Sequence, residues 1–542
     1  MNRSLHVTAV FLVLSGIWIL PVSDPSEARY AEVARVMAEG GDWLVPHVLG
    51  QPHLSKPPLA YWLAAVAIRL FGPQAWAARL PAALAFIVTV IITADLGKRL
   101  WNGSRSAASG ASAGWALLLS VVPLAAANIL TTDSILALFE TVCVWCAWRS
   151  ITSAGRSERV RWGIGFHAAL ALAFLTKGPP GLLAAAALAA FLVRHRRTYD
   201  FRGLIHPIGF LVFAVLAMPW FAAVAVRVPG ALSYWWGTET VQRLVGDSGR
   251  SMPFYVYFPV LLGGCLPAGI FLPAGARWLG RQLRRRGSDA TPDAAPAELI
   301  LWWIGLPLVV LCVARSRLPL YVLPLFAPMA ILIGRYVAVQ WTLQGGEEPR
   351  LHRARLGVAG ALAVIGIALK LGLMQVPGIL KQDPRPAARA IAADAEAFGR
   401  RPEVFITSRH GRLPAFGLAF YSRQALQLFV FCREGEPVHG VGPQPPEIDS
   451  ILKAPSPPGT VQYLVVRADQ AETLDQETVG RIRGAWIHSS NGMSVWRREA
   501  VVLTEETRRV AEVPPPMSAG GRRQSPPSFP VDGLQHAHSR VE

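Results

Sequence analysis

Apolar residues in this chain do not alternate with polar ones. They gather into blocks of about 15 to 22 residues, separated by short polar loops. A helix rising roughly 1.5 Å per residue needs about 20 such residues to cross a hydrocarbon layer of roughly 30 Å. The blocks predict spans near 7–22, 79–97, 112–130, 134–150, 162–176, 179–194, 206–226, 254–275, 298–314, 318–335 and 356–374. The first block follows Arg3 and has the length of a signal-peptide core, but no A-x-A cleavage site follows it, so it is read as an uncleaved first span. The stretch 57–71 (PPLAYWLAAVAIRLF) is also apolar, yet it is short and opens on two prolines. It is predicted to be an interfacial or re-entrant helix. The fold class is an α-helical polytopic membrane protein, with about 11–13 spanning helices.

Charge then orients the spans. The chain carries 53 Lys and Arg against 35 Asp and Glu, a net charge of +18, with only 16% charged residues overall. The mean hydropathy is +0.34. Many cations sit in clusters between spans: Lys98 and Arg99; Arg156, Arg159 and Arg161; Arg194, Arg196 and Arg197; Arg281 with Arg284, Arg285 and Arg286; Arg350, Arg353 and Arg355. With the N-terminus inside, every one of these clusters falls on the cytoplasmic side. The charge is therefore topological, and no basic module interleaved with aromatics suggests nucleic acid. Five cysteines are too few for a disulfide scaffold, and the C-x-x-C at Cys143 and Cys146 lies inside an apolar helix as packing residues.

Residues 1–377 are read as the membrane domain, with the first outer loop over 23–77. After Gly378 charge rises and apolar runs shorten. EVFITS (403–408), LQLFVF (426–431) and VQYLVV (461–466) predict strands beside a helix over 385–399. Residues 378–502 are thus expected to be a small periplasmic α/β domain. From 503 to 542 the chain is Pro-rich and polar and is predicted to be disordered.

The first outer loop concentrates the candidate chemistry. It reads DPSEARYAEVARVM at 24–37, GDWLVPH at 41–47 and SKPPLAYW at 55–62, bringing Asp24, Glu27, Arg29, Tyr30 and Lys56 to the mouth of the bundle. The bland reading of 27–37 is a solvated amphipathic helix whose charges only anchor it. Other ionisable residues fall at the same predicted ends of later spans: Asp133 in TTDS, Lys177 in LTKGPP, Glu239 and Arg243 in ETVQR, and Arg315 and Arg317 in ARSRLPLY. For Asp133 the competing reading is a helix N-cap. Charge at membrane depth is costly, so several such residues on one side point to use. Cations can hold a lipid-linked phosphate and stabilise its growing charge, while a carboxylate accepts a hydroxyl proton. His47 and His53 are read as interfacial polar residues, and no ligand cluster calls for a metal or other cofactor.

EARYAEVARVM, GDWLVP, KPPLAYWL, TTDS, LTKGP, the PW at 219–220, ETVQR and RLPLYVLPLF, spread in this order over the membrane part, resemble the bacterial aminoarabinose transferases of lipid A modification and the related protein O-mannosyltransferases. The resemblance implies a GT-C bundle in the bacterial inner membrane, with its site facing the periplasm. It also implies a polyprenyl (undecaprenyl) phosphate sugar donor, a lipid or glycan acceptor such as lipid A, and inversion with a loop acid as base. By the same resemblance Arg29, Lys56 and Arg317 contact the donor phosphate, Tyr321 lines the cavity, and Asp133 is the second cavity acid. The family pattern places Asp-Glu before x-Arg-Tyr, and here Ser26 stands at the Asp position. The base is then Glu27 or Asp24, or activity has been lost. Ser55 likewise stands where the family often has Glu. Two other classes compete: a lipid-linked sugar transporter or flippase, although no internal repeat is visible, and an inactive membrane scaffold.

Overall fold

The computed structural model describes residues 3–22, 25–101, 103, 105–246, 252–284, 293–343, 348–373, 383–407, 415–423, 426–429, 460–467, 484–490 and 493–498. Met1–Arg498 forms one compact unit, and the second unit, Glu499–Glu542, lies outside the described residues, as does the tail predicted to be disordered.

The first part is helical. In chain order it comprises α1 (Arg3–Leu14), α2 (Ser26–Ala38), α3 (Leu59–Phe71), α4 (Ala75–Leu100), α5 (Ser106–Leu118), α6 (Val121–Ala126), α7 (Thr132–Thr152), α8 (Arg156–Lys177) and α9 (Leu183–Arg194). There follow α10 (Pro207–Arg227), α11 (Ala231–Ser233), α12 (Gln242–Val245), α13 (Tyr257–Gly264), α14 (Leu272–Arg284), α15 (Ala294–Val313), α16 (Phe326–Leu343) and α17 (Glu348–Leu373). The loop between α2 and α3 carries a two-residue antiparallel ladder, β1 (His47–Val48) with β2 (Gln51–Pro52).

Six described helices are long and apolar enough to cross a membrane: α4, α7, α10, α15, Pro319–Gln340 and Arg353–Gly372. Phe254–Gly264 and Ala268–Arg284 form an apolar pair bent by 106°, a broken span or a re-entrant loop. The other predicted spans are shorter, broken or charged at one end, each for a local reason. The block 112–130 splits after Leu118 because the ring of Pro123 clashes with the carbonyl four residues earlier. The block 254–275 breaks around Gly263, Gly264 and Pro267 for the same kind of reason. The first helix stops at Leu14, just before Gly16 takes a positive φ of 70°. Pro319 and Pro324 tighten the first turns of 319–325 into a 3-10 helix before α16 begins. The apolar stretch 57–71 forms only the short α3.

Small residues let the central helices approach closely. A Cβ on Gly110 of α5 would collide with the carbonyl oxygen of Ala94 on α4, and one on Gly334 of α16 with the backbone nitrogen of Ala113. Backbone contact of this kind holds helices together where lipid removes the hydrophobic driving force.

Beyond the bundle, α18 (Arg385–Ala397) and α19 (Ala415–Ser422) accompany five strands: β3 (Arg401–Thr407), β4 (Leu426–Phe429), β5 (Thr460–Arg467), β6 (Gly484–Ser490) and β7 (Met493–Arg498). The sheet order is β4-β3-β5-β7-β6. The strand β3 is parallel to both β4 and β5, while β5–β7 and β6–β7 are antiparallel. Three of these strands were legible as apolar runs; β6 and β7 were not, because GAWIHSS and MSVWRR mix polar and apolar positions. A buried cluster of Ala387, Ile391, Val404, Leu418, Tyr463 and Val495 ties the sheet to its two helices.

Candidate active site

Local sequence places the charged residues at one end of the bundle. The helix α7 starts after Thr131, which has extended backbone, and Asp133 lies in its first turn, where the helix dipole favours an anion. The predicted cap at Asp133 is therefore corrected by two residues: no side-chain cap is formed, and Asp133 is free to make an ion pair. The neighbouring α8 ends on Lys177, a cation at the favourable C-terminus, and Gly178 then turns the chain with φ 70°. The antiparallel pairing of α7 and α8 joins these two termini, so that Lys177 and Asp133 form a buried salt bridge. The Lys177 ammonium also sits 4.1 Å from the centre of the Tyr321 ring.

The loop before α3 is pinned onto the bundle by indole N–H groups. Trp62 donates to the Trp43 carbonyl (2.7 Å), Trp220 to Leu44 (2.8 Å) and Trp235 to Leu54 (3.0 Å). Lys56 is thereby held with its ammonium 3.1 Å from Glu239 and 2.7 Å from the Ser55 carbonyl. Glu239 rides on a π-helical stretch, Tyr234–Val241, whose wider turns re-aim side chains. Its other oxygen accepts from Arg243 at 2.7 Å and from the Tyr234 hydroxyl at 3.3 Å. Burial pushes Lys56 down to about 7, against the pull of Glu239, which favours its charged form. His53, buried beside Arg29 and Lys56, is pushed down to about 3 and so is neutral; its Nε2 lies 2.8 Å from the Ser55 hydroxyl.

Lys56, Lys177, Glu239, Arg243 and Tyr321 line one cavity of about 320 Å³. The rest of its wall is mainly apolar, including Leu136, Phe221, Trp235, Val310 and Leu325. A polar rim above an apolar hollow suits an amphiphile with an anionic head.

Other predicted site residues go elsewhere, and Asp133, expected as the second cavity acid, is not among the lining residues although its partner Lys177 is. Glu27 lies 3% exposed in a two-pronged salt bridge with Arg79, at 2.7 and 3.0 Å, and also accepts from the Leu130 amide at 3.0 Å. Arg79 completes its bonding on the carbonyls of Ile17, Leu20 and Pro21. Glu27 is a strut between the first loop and α4, and it does not line the cavity. Arg317 does not line it either, because it donates to the carbonyls of Met252 (2.8 Å) and Cys312 (3.0 Å). Arg29 stands apart from the cavity wall, with its guanidinium 5.9 and 5.7 Å from the rings of Tyr30 and Phe416 and its Nε buried without a partner. Tyr30 packs edge-on against Tyr61, with ring centres 5.6 Å apart. Ser26 is exposed at the start of α2, and Asp24 lies outside the described residues. Among the described residues no three His, Cys, Asp or Glu side chains gather around a metal-sized point.

Sequence reasoning passed over Arg79, Tyr234 and Glu140. Each had a signal: a cation or an acid set within an apolar run, and a tyrosine five residues before Glu239.

Comparison with known proteins adds a second line. Residues 55–224 match the family model described as dolichyl-phosphate-mannose-protein mannosyltransferase. The undecaprenyl phosphate-alpha-4-amino-4-deoxy-L-arabinose arabinosyl transferase of Edwardsiella ictaluri is 30% identical over 379 residues, 68% of this chain and 66% of that protein. The transferase of the same description from Pseudomonas aeruginosa is 28% identical over 362 residues, 66% of this chain and 60% of that one. The match thus spans 66% and 60% of the length of these two curated relatives. The crystal structure of ArnT from Cupriavidus metallidurans bound to undecaprenyl phosphate superposes with a TM-score of 0.75 at 22% identity, covering 92% of this chain and 98% of that one. An Archaeoglobus fulgidus oligosaccharyltransferase superposes with a TM-score of 0.51 at 11% identity, covering 78% and 64%. These likenesses establish the fold as that of membrane glycosyltransferases of the GT-C type.

Proposed function

We propose, on the premise that the chain is an aminoarabinose-transferase-like membrane protein of the GT-C fold, that it transfers a sugar from an undecaprenyl-phosphate donor to an envelope acceptor such as lipid A. The observation that carries this reading is the meeting of Lys56, Lys177, Arg243, Glu239 and Tyr321, from well-separated stretches of sequence, around one apolar hollow. In this reading the polyprenyl chain lies along the apolar wall. The phosphate takes the place of Glu239 as partner to Lys56 and Arg243, which then neutralise the charge that grows as the glycosidic bond to phosphate breaks. Tyr321 holds Lys177 in place through its ring face. Asp133, paired with Lys177 in the first turn of α7, accepts the proton of the attacking hydroxyl. Glu27 holds the first loop in place. The protein sits in the inner membrane with this end of the bundle and the α/β domain in the periplasm, where the cation clusters between spans orient them.

Purified full-length protein in detergent, given an undecaprenyl-phosphate sugar and lipid A, is expected to release undecaprenyl phosphate and add one sugar to the acceptor, read by mass spectrometry. No bond change in detergent, together with movement of the intact lipid across proteoliposomes, would replace transfer by transport.

A further inference from the structure

The cavity holds one acid that the proposed reaction leaves unused. Glu140 lies on α7 seven residues after Asp133, two turns along the same helix and about 10 Å deeper at roughly 1.5 Å per residue. It lines the cavity and is only 2% exposed. Among the described residues no group donates a hydrogen bond to its carboxyl or forms an ion pair with it, whereas Glu239, which also lines the cavity, and Asp133, which does not, both have partners. Glu239 takes Lys56 and Arg243, and Asp133 takes Lys177. A carboxyl at membrane depth without a partner is expensive, and such a group is kept where something else completes it. The polyprenyl chain has no hydrogen-bond donor, and the phosphate is met by Lys56 and Arg243 in the reading above. The sugar carries several donors.

We propose that Glu140 is a specificity-determining residue that accepts hydrogen bonds from N–H or O–H groups of the donor's sugar. This rests on the transferase reading above. A carboxyl group offers several lone pairs, and an ammonium beside it favours its ionised form, so it discriminates by the donors a sugar can point at it. A sugar bearing an ammonium group and one bearing only hydroxyls are the two sources of that chemistry, and Glu140→Gln separates them. The amide keeps an acceptor for a hydroxyl but loses the charge that an ammonium requires.

The test is binding to the full-length protein in detergent, without acceptor, followed by tryptophan fluorescence. The three ligands are undecaprenyl phosphate, its glucose conjugate and its 4-amino-4-deoxy-arabinose conjugate. Glu140→Ala is expected to leave the bare phosphate lipid bound as in the wild type and to weaken the recognised sugar conjugate by about ten- to a hundredfold, the range of a hydrogen bond to a charged group. Glu140→Gln retains that conjugate if hydroxyls are read and loses it if an ammonium is read. Because Gln matches Glu in volume, its thermal unfolding also shows that the fold is intact. Equal weakening of bare and conjugated lipid, or unchanged binding of both with turnover lost, would overturn the assignment. The second pattern would place Glu140 on the acceptor side. A wild-type protein that binds none of the three lipids removes the transferase reading itself, and this inference with it.

Discussion

Lys56 illustrates how far a residue's role is set by what surrounds it. Its ammonium is buried, and the cost of that burial exceeds the help from Glu239, pushing it down to about 7. An anionic phosphate favours the charged form, so donor binding raises the folded pKa. Donor affinity is therefore expected to be greatest below about pH 7 and to fall as pH climbs towards 9, with a proton taken up on binding around neutrality. Calorimetry in buffers of different ionisation heat reads that uptake; none at pH 7.5 would mean that Lys56 is already fully charged. Lys56→Ala is expected to lower kcat/KM by about a hundredfold, in keeping with the loss of a charge-assisted hydrogen bond to the transition state. Much of this was legible: a lysine before two prolines, and another between two apolar blocks, are conspicuous in a chain that holds so few charges within its spans. Which acid each cation would meet was not legible, because Glu239 lies 183 positions from Lys56 and only the fold sets that distance.

At the scale of elements, α2 shows the limit of periodicity. The helix and its start were readable, but its register against α4 was not, and that register decides that Glu27 faces Arg79 instead of the cavity. The expectation for Glu27 changes accordingly. Glu27→Gln leaves a buried guanidinium without its countercharge and is expected to destabilise the fold by about 3–5 kcal/mol, seen as a lower unfolding temperature in detergent. Glu27→Gln combined with Arg79→Met is expected to cost less than Glu27→Gln alone, since the unpaired charge is removed too. A Glu27→Gln protein that melts like the wild type yet transfers nothing would return Glu27 to the chemistry. The broken crossings teach a related lesson. Hydropathy reads 112–130 and 254–275 as continuous, while Pro123 and Pro267 interrupt them, and these positions are as visible in the sequence as the apolar runs themselves.

For the whole molecule, the topology proposed from cation clusters is directly checkable. A cysteine at exposed Gln74, between α3 and α4, is expected to react with an impermeant maleimide in intact spheroplasts, and one at exposed Arg196, just after α9, only after permeabilisation. The reverse pattern would put the cavity mouth in the cytoplasm and remove the proposed acceptor. The change of composition after Gly378 pointed to strands beyond the bundle, but not to how closely the later helices pack on the first loop. Phe416, Phe420 and Tyr421 of α19 belong to the same apolar cluster as Ala31, Val33 and Met37 of α2 and Tyr61 of α3, and the Tyr421 hydroxyl accepts from the Val22 amide at 3.0 Å. A stop codon anywhere between the last span and α19 would strip the cover from α2 and free the segment that leads to Lys56. Shortened alleles of this gene would then behave as damaged bundles, prone to clumping and proteolysis, and not as working enzymes that have shed an accessory.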